Sequence, residues 1–286
     1  MRILSIQSSV AYGHVGNSAA VFPLQRLGHE VWPVFTVHFS NHTGYGAWRG
    51  PLLAPADVAE VIAGIGERGV LGECDAVLSG YQGDPAMGAV ILDAVAQVKA
   101  LNPSAVYCCD PVIGDVGRGV FVRPGIPEFI RDEVVARADV LTPNHFELEF
   151  LAGGEARTAD EVLDAVDAVR ARGPRDVLVT SVRYDDNDAA HEDTLELVAV
   201  SDEGAWAVTT PLLPIAPNGG GDLTAALYLA HLLESSSPAV ALARTTASVF
   251  AVLEATLAAG TRELQIVGAQ DAIAAPPARF EVRRLR

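Results

Sequence analysis

The chain has 286 residues, of which 50% are hydrophobic and 20% are charged. This composition excludes global disorder, because a disordered chain lacks the apolar surface that offsets the entropy of ordering. Twenty basic residues against 36 acidic ones give a formal net charge of -16, which repels nucleic-acid phosphates and anionic lipids. We therefore expect neither a nucleic-acid partner nor a membrane partner.

The amino terminus, MRILSIQSSV, is too short and too polar for a secretory signal and is typical of a first strand. Residues 239–259 form the most apolar later stretch, but Arg244 and Glu254 interrupt it. A membrane span needs about 18 uninterrupted apolar residues, so we expect this stretch to fail that test. The three cysteines have neither disulfide nor zinc spacing. We expect a cytoplasmic protein with buried, unpaired cysteines.

The chain has a single lysine, Lys99, which lies in a segment of helical period. A P-loop nucleotide site needs a Gly-Lys-Ser/Thr sequence, and the chain contains no Gly-Lys pair. Protein kinases need a lysine on a strand, and enzymes that bind a cofactor as a Schiff base need one as well. P-loop enzymes are therefore excluded, and the other two classes are disfavoured.

Apolar runs bounded by turn residues predict strands, and segments of helical period between most of them predict helices. The predicted strands are residues 3–7, 30–38, 75–79, 105–109, 139–141 and 176–180, followed by a hairpin of 194–200 and 205–210. The predicted helices are residues 55–68, 85–101, 158–172, 221–234 and 238–259. This order predicts an α/β fold with a mostly parallel sheet and helices on both faces. Because no linker, repeat or low-complexity segment interrupts it, we expect residues 1–286 to form a single domain.

Two local patterns are interpreted as structural. Thr158 and Glu161 have the spacing of a capping box, which predicts the start of a helix. Residues 64–69 match the GxGxxG pattern of dinucleotide sites, but they follow a helix rather than a strand. We interpret them as a turn that ends the helix, because glycine favours the left-handed conformation found there.

A glycine-rich turn at residues 218–222 opens directly into an apolar helix. Gly219, Gly220 and Gly221 would present backbone N–H groups at the positive end of a helix dipole, which favours anions. A carboxylate at this position would repel an anion, so Asp222 is expected to have a role other than anion binding. A suitable role is to accept the proton of a hydroxyl group that attacks phosphorus. The alternative is that Asp222 only caps the helix.

Oxygen-bearing side chains also follow two predicted strands. Asp110 comes after one of them, and Asn144 and Glu147 come after the next. Ligands collect at the carboxyl ends of strands in open α/β sheets, so these side chains could converge on one crevice. Their oxygens suit Mg²⁺. The alternatives are an Asp in a turn before proline, an Asn in a turn and a Glu on a helix surface.

Three polar segments, residues 7–9, 39–45 and 79–81, follow strands and are expected at the same edge of the sheet. Their hydroxyl groups and aromatic rings could hold a small polar aromatic ring by hydrogen bonds and stacking. The alternative is that Ser40 and His42 only shape a turn.

The spacing Asn144-x-x-Glu147 together with Gly219-x-Gly221-Asp222 resembles the ribokinase-like superfamily of small-molecule kinases. Within it, five motifs are similar to those of pyridoxal kinases: VGNS at 15–18, FSNHTGY at 39–45, SGY at 79–81, CDPVIGD at 109–115 and TPNHFELEFL at 142–151. The likeness extends over about residues 3–271. It implies a three-layer αβα fold and ATP-dependent phosphorylation of the 5′-hydroxymethyl group of pyridoxal, with pyridoxine and pyridoxamine as further substrates.

The resemblance also implies roles for individual residues. Ser8, Thr43 and Tyr81 would hold the pyridine ring with Gly44 beside it, and Asp222 in the glycine turn would be the catalytic base. The residues matching the family's ATP site are Asp110, Thr142, Asn144, Glu147, Thr180, Ser181, Thr210, Pro211, Leu212 and Leu213. Of these, Asp110 and Glu147 would organise the Mg²⁺ that accompanies ATP. A homodimer is implied as well.

Some positions depart from the family pattern. Asn218 and Gly220 stand where the family carries a hydrophobic residue and often Thr or Val, which predicts weaker ATP binding. Thr180 occupies a position where some relatives have lysine, and the acidic segment 184–193 lies where the family covers ATP. We also expect residues 38–49 to close over the substrate.

Two other functions stay open. One is a kinase of the same superfamily that acts on a hydroxymethylpyrimidine or a sugar. The other is a non-catalytic protein that binds vitamin B6.

Overall fold

The structure is a computed structural model that describes residues 1–184 and 193–286. Its strands within these ranges are β1 (Arg2–Val10), β2 (Glu30–Phe39), β3 (Ala76–Ser79), β4 (Val106–Cys109), β5 (Gly114–Asp115), β6 (Gly119–Val120), β7 (Val140–Leu141), β8 (Asp176–Val182), β9 (Thr194–Ser201), β10 (Gly204–Pro211) and β11 (Arg283–Arg284). Strands β5 and β6 form a separate hairpin, and the other strands form one sheet.

The main sheet has the order β2-β1-β3-β4-β7-β8-β9-β10-β11. Strands β2 to β8 in this order pair in parallel, whereas β9, β10 and β11 are added antiparallel. Each predicted strand is therefore confirmed, and so is the predicted hairpin, which turns at Asp202 and Glu203. All parallel strands end at one edge of the sheet, where the connecting segments can meet.

The helices of the described chain are α1 (Asn17–Arg26), α2 (Pro55–Gly66), α3 (Met87–Leu101), α4 (Ile126–Phe129), α5 (His145–Ala152), α6 (Ala159–Arg170), α7 (Gly220–Ser235), α8 (Pro238–Ala259) and α9 (Gln270–Ala274). The five predicted helices are α2, α3, α6, α7 and α8. Helix α1 was not predicted, because Pro23 lies inside it and proline ordinarily interrupts helices.

The helices cover both faces of the sheet. Helices α2, α3, α5 and α6 pack on one face of the sheet. The apolar core between them includes Leu4, Ile91 and Val166. Helices α1, α7 and α8 pack on the opposite face around residues such as Leu24 and Leu229. This arrangement confirms the expected three-layer αβα fold.

Helix α8 is the one helix of the described ranges that is long and apolar enough, by length and composition alone, to cross a membrane. It passes although Arg244 and Glu254 interrupt its apolar run, so the expectation that it lacks 18 uninterrupted apolar residues still holds. Within its most apolar window, 56% of the helix is buried inside the protein. It packs against α7, β9 and β10, so burial in the core accounts for its apolar character.

The local structural interpretations are confirmed. The backbone N–H of Thr158 donates to Oε2 of Glu161 at 3.0 Å, and the N–H of Glu161 donates to Oγ1 of Thr158 at 3.3 Å. The GxGxxG segment ends a helix, since α2 stops at Gly66 and Gly69 has φ of 74°. The three cysteines are buried and unpaired.

The carboxyl-terminal strand β11 pairs with Trp206 and Ala207 of β10. It also brings Arg283 within 2.7 Å of the buried carboxylate of Glu196 on β9. Burial alone would raise the pKa of Glu196, but hydrogen bonds from Thr209, Tyr184 and Arg283 outweigh it and lower this pKa below its usual value. The end of the chain is thereby attached to two strands of the sheet.

Candidate active site

A cavity of about 650 Å³ lies at the edge of the sheet where the parallel strands end. Its lining comes from the segments that follow several of these strands and from the first turn of α7. Strand order sets the layout, because β1, β2 and β3 lie to one side, β8, β9 and β10 to the other, and β4 and β7 between them. The cavity therefore has two halves with a shared middle.

Most of the predicted site residues line this one cavity. They are Ser8, Thr43, Tyr81, Asp110, Thr142, Asn144, Glu147, Thr180, Ser181, Thr210, Gly219, Gly220, Gly221 and Asp222. Gly44, Pro211, Leu212 and Leu213 do not belong to the lining.

The positions of these four residues have a physical reason. Strand β10 ends at Pro211, and the N–H of Leu212 donates to the carbonyl of Asp193 at 2.8 Å, which holds the chain along the neighbouring strand. Ile215, Ala216 and Pro217 line the cavity in their place. Gly44 lies beside the glycine turn instead, where a methyl group added to it would be 3.6 Å from Nδ2 of Asn218.

The glycine turn has a backbone that requires glycine. Gly219 has φ of 89°, and a methyl group added to it would lie 1.9 Å from the carbonyl oxygen of His14. Helix α7 starts at the next residue, so the N–H groups of its first turn, which have no partner within the helix, lie at the lining of the cavity. A methyl group on Gly221 would be 3.8 Å from Oδ2 of Asp110, which shows how close this carboxylate lies to the turn.

Asp222 lies in the first turn of α7, and Gly219 occupies the N-cap position. Capping alone therefore does not explain Asp222. Burial raises the pKa of Asp222, while hydrogen bonds from the N–H of Gly16 and from its own N–H oppose this increase. Gly16 contacts Ser8 closely enough that an added methyl group would lie 2.3 Å from the Ser8 hydroxyl oxygen. The candidate base is thus attached to the part of the cavity that contains Ser8.

Glu147 is not the surface residue that the alternative interpretation required, because it is only 3% exposed. Its Oε2 accepts from the N–H of Asn144 at 2.9 Å, and its Oε1 accepts from the N–H groups of Ile113 at 2.7 Å and Gly114 at 3.3 Å. Asn144 in turn caps α5 by accepting from the N–H of Glu147 at 2.9 Å. Burial raises the pKa of Glu147 to about 7 in spite of these hydrogen bonds.

Asp110 completes a group of three carboxylates with Glu147 and Asp222. Burial, and then the charges of Asp222 and Glu147, raise the pKa of Asp110 well above its usual range. Such mutual repulsion is what a bound divalent cation would relieve. The described residues contain no group of three or more His, Cys, Asp or Glu side chains placed to chelate a metal. The donor set fits Mg²⁺, which usually binds one or two carboxylates together with water and phosphate.

The half of the cavity near β1, β2 and β3 has both apolar and polar lining residues. Val10, Val15, Val37 and Phe39 supply apolar contacts, and Ser8, Thr43 and Tyr81 supply hydroxyl groups. The backbone carbonyl of Tyr81 accepts from the hydroxyl of Thr36 at 2.6 Å, which fixes this segment. Burial raises the pKa of the Tyr81 hydroxyl, so it remains a hydrogen-bond donor. This half suits a small aromatic ring with polar substituents.

The half near β8 and β9 has an apolar wall that sequence reasoning missed. The wall comprises Leu195, Leu197, Val249, Phe250 and Leu253. The two leucines alternate along β9, which was the available signal, whereas nothing in the sequence indicated that α8 would face them. Ser181 has φ of 56° at an irregularity in the pairing of β8 with β9. Such a backbone distortion often occurs where a strand meets a ligand.

The segment 38–49, which we expect to close over the substrate, is tied to the carboxyl-terminal part of the chain. The hydroxyl of Tyr45 donates to Oε1 of Glu263 at 2.7 Å, and the guanidinium of Arg262 lies 4.5 Å from the centre of the Tyr45 ring. The bond to Glu263 is the main cause that raises the pKa of Tyr45 to about 12. The closing motion stays a prediction. Of the acidic segment 184–193, residues 185–192 lie outside the described residues.

The three carboxylates make the unliganded protein less stable as the pH rises. The pKa of Glu147 is about 7 in the folded protein and 4.5 in the unfolded chain. The contribution of Glu147 to stability is therefore complete below pH 4.5 and is lost as the pH rises through 7. Asp110 shifts in the same direction. We expect Asp110→Asn to stabilise the metal-free protein at pH 8 by on the order of 1–3 kcal/mol, and less at pH 5.

Thermal unfolding with a chelator present, followed across this pH range, measures the difference between the two proteins. Added Mg²⁺ should reduce the difference in stability between the two proteins at pH 8, because it should stabilise the wild type more than Asp110→Asn. A difference that did not change with pH would show that the carboxylates do not repel one another in this way.

The chain is similar to known proteins in sequence and in fold. A family model described as Phosphomethylpyrimidine kinase matches residues 73–266. Pyridoxal kinase PdxY of Rubrobacter xylanophilus is 63% identical over 285 residues, which cover 100% of this chain and 98% of that protein. Pyridoxal kinase PdxY of Leifsonia xyli is 58% identical over 285 residues, with 100% of both chains covered.

A solved structure extends the comparison to three dimensions. Pyridoxal kinase from Leishmania donovani in complex with ADP and pyridoxine matches this fold with a TM-score of 0.91 at 28% sequence identity. The match covers 100% of this chain and 99% of that one. The family indicated by the sequence motifs is confirmed: the chain belongs to the pyridoxal kinases of the PdxY type, within the phosphomethylpyrimidine kinase family.

Proposed function

We propose that this protein transfers the γ-phosphoryl group of ATP to the 5′-hydroxymethyl group of pyridoxal, with pyridoxine and pyridoxamine as further substrates. The observation that carries the proposal is the position of Asp222 and the glycine turn in one cavity, between a half suited to a small aromatic ring and a half with an apolar wall. The names of the PdxY relatives support it, and so does the ADP and pyridoxine complex of the L. donovani enzyme.

In the proposed reaction, Asp222 accepts the proton of the 5′-hydroxyl group as its oxygen attacks the γ-phosphorus. The raised pKa of Asp222 suits a group that must take a proton. The N–H groups at the start of α7 stabilise the charge of the transferring group. Most of the acceleration comes from holding the two substrates in line, which is usual for phosphoryl transfer.

The cation of this reaction is proposed to be Mg²⁺. Asp110 and Glu147 would hold it, and it would neutralise polyphosphate charge in a cavity that is itself acidic. Asn144 would support this site from the N-cap of α5, with Thr142 donating to Oδ1 of Asp110 over 3.4 Å.

The remaining roles follow the two halves of the cavity. Ser8, Thr43 and Tyr81 would bind the vitamin ring, with Gly44 next to them. Thr180, Ser181 and Thr210 would bind the nucleotide along β8 and β10. Pro211, Leu212 and Leu213 do not line the cavity, so we do not propose them as nucleotide contacts. The apolar wall, together with Ile215, Ala216 and Pro217, would contact the adenine instead. We further propose a single-domain cytoplasmic homodimer.

A second candidate is a hydroxymethylpyrimidine kinase, which the description of the matching family model favours. Release of ADP from Mg-ATP, measured with each B6 vitamer, a hydroxymethylpyrimidine and a sugar, separates the candidates. We expect the highest kcat/KM with pyridoxal and a product that carries one added phosphate by mass spectrometry. ADP release with the pyrimidine alone would replace the proposal by the second candidate. Binding of pyridoxal without any ADP release would favour a non-catalytic B6-binding protein.

A further inference from the structure

The β5–β6 hairpin forms one rim of the cavity and is fixed at its base. The N–H of Gly114 donates to Oε1 of Glu147 at 3.3 Å, and Nδ2 of Asn144 donates to the carbonyl of Gly114 at 2.8 Å. A methyl group on Gly114 would lie 2.6 Å from the carbonyl oxygen of Gly119 on the opposite strand. The base of the hairpin is therefore held by the residues proposed to organise Mg-ATP.

The tip of the hairpin presents Arg118. Gly117 and Gly119 have φ of 77° and 66°, which allows the tight turn on either side of it. Arg118 is exposed and lines the cavity, and its guanidinium lies 4.8 Å from the centre of the Phe121 ring. Within the described residues, Arg118 has no carboxylate partner. A cation on an aromatic ring in water is weakly held, so this guanidinium is available to a stronger partner.

A second observation relates Arg118 to the side of the cavity that contains His42. Burial is the main cause that lowers the pKa of His42, and the charge of Arg118 is the next. His42 lines the cavity in the segment after β2, on the side of Ser8 and Thr43. Arg118 is thus close to the vitamin side, while its hairpin is anchored in the middle of the cavity by Asn144 and Glu147. Arg118 therefore lines the same cavity as Asp222 and the glycine turn, where a phosphoryl group would pass from one substrate to the other.

The charged side chains that line the cavity also favour a role for Arg118 in phosphate binding. Asp110, Asp115, Glu147 and Asp222 are acidic, whereas the arginines in the described part of the lining are Arg118 and Arg183. Arg183 follows β8 on the nucleotide side. A polyphosphate therefore meets more negative than positive side chains, and a cation at the junction would offset the charge of the transferred group.

We propose that Arg118 is a catalytic residue that donates hydrogen bonds to the γ-phosphoryl group as this group is transferred. This proposal rests on the proposed kinase function. In this step the 5′-oxygen forms a bond to the γ-phosphorus, the bond from that phosphorus to the β–γ bridging oxygen breaks, and the hydroxyl proton goes to Asp222. Arg118 keeps its charge throughout and leaves the Phe121 ring to reach the phosphoryl oxygens. A planar guanidinium can donate two such bonds at once.

The test compares Arg118→Ala and Arg118→Lys with Arg68→Ala, a control that removes an arginine 73% exposed on the surface. Loss of a charge-assisted contact should lower kcat/KM for ATP about 10- to 100-fold in Arg118→Ala. Calorimetry in the presence of Mg²⁺ should show weaker binding of a non-hydrolysable ATP analogue but wild-type binding of ADP, which lacks the γ-phosphate. Arg118→Lys should recover part of both losses, and Arg68→Ala should match the wild type.

Two results would overturn the proposal. Equal weakening of ADP and analogue binding would mean that Arg118 only supports the hairpin, and wild-type values for both kcat/KM and analogue binding would mean that it makes no contact. If the wild type itself released no ADP with any B6 vitamer, the proposed function would fail. The analogue-against-ADP comparison would still decide the role of Arg118.

Discussion

Asp222→Asn is expected to lower kcat by about 10²–10⁴, the usual contribution of a positioned general base. The amide has the shape of the carboxylate but cannot accept the proton of the 5′-hydroxyl group. Pyridoxal and nucleotide binding should persist, because the replacement also removes a negative charge close to Asp110. Steady-state ADP release, together with calorimetric binding of pyridoxal, separates the loss of chemistry from a loss of binding.

Asp115→Asn is the matched control for this variant. Asp115 also carries a carboxylate that lines the cavity, but it is exposed and lies on the hairpin. Its amide can still accept the bond that Oδ1 now accepts from the N–H of Val116 at 2.8 Å. We expect this control to keep most of the wild-type kcat. Turnover of pyridoxal by Asp222→Asn at the wild-type rate would remove Asp222 from the role of base.

Gly219→Ala should nearly abolish activity and also destabilise the protein. The added methyl group would overlap the carbonyl oxygen of His14 at 1.9 Å, and the φ of 89° is unfavourable for alanine. The backbone must move, which displaces the N–H groups that would stabilise the transferring phosphoryl group. We expect kcat/KM to fall by about 100-fold or more and stability to fall by about 1–3 kcal/mol. Steady-state kinetics and denaturant unfolding measure the two effects.

Gly220→Ala tests whether the expected effect of Gly219→Ala comes from the backbone conformation at Gly219 or from the loss of any glycine in this turn. A methyl group on Gly220 meets no atom within 4 Å, and this residue begins α7 with ordinary helical backbone. Alanine there should keep the fold and stabilise the protein by about 0.4–1 kcal/mol, because it restricts the unfolded chain. Equal effects of the two variants would contradict the role that we assign to the backbone of Gly219.

The layers of the fold were predictable because its parallel strands are short apolar runs buried on both faces. Strand β3, for example, is buried at all of its positions, so its residues stand out from the polar turns around them. Helix α1 was not predictable in this way. It contains Pro23, and its N-cap is Gly16, which has φ of 52° and packs closely against Ser8. That packing is a tertiary contact, which periodicity does not carry.

The middle of the site was indicated by short motifs, since neighbouring residues such as Asn144 and Glu147 form their contacts locally. The hydrogen bonds from Ile113 and Gly114 to Glu147 join segments about 34 residues apart, so no local pattern could have predicted its burial. The apolar wall brings β9 to α8 across the fold. Its residues are of the type that any core contains, and only three-dimensional packing reveals that they face a cavity.

Strand β11 has a consequence for handling the protein. Without residues 283–286, the outer edge of β10 would present unpaired backbone groups at Trp206 and Ala207, and Glu196 would lose its arginine. Unprotected edges of this kind recruit strands from other molecules. Trimming those residues should therefore promote precipitation more than it impairs turnover.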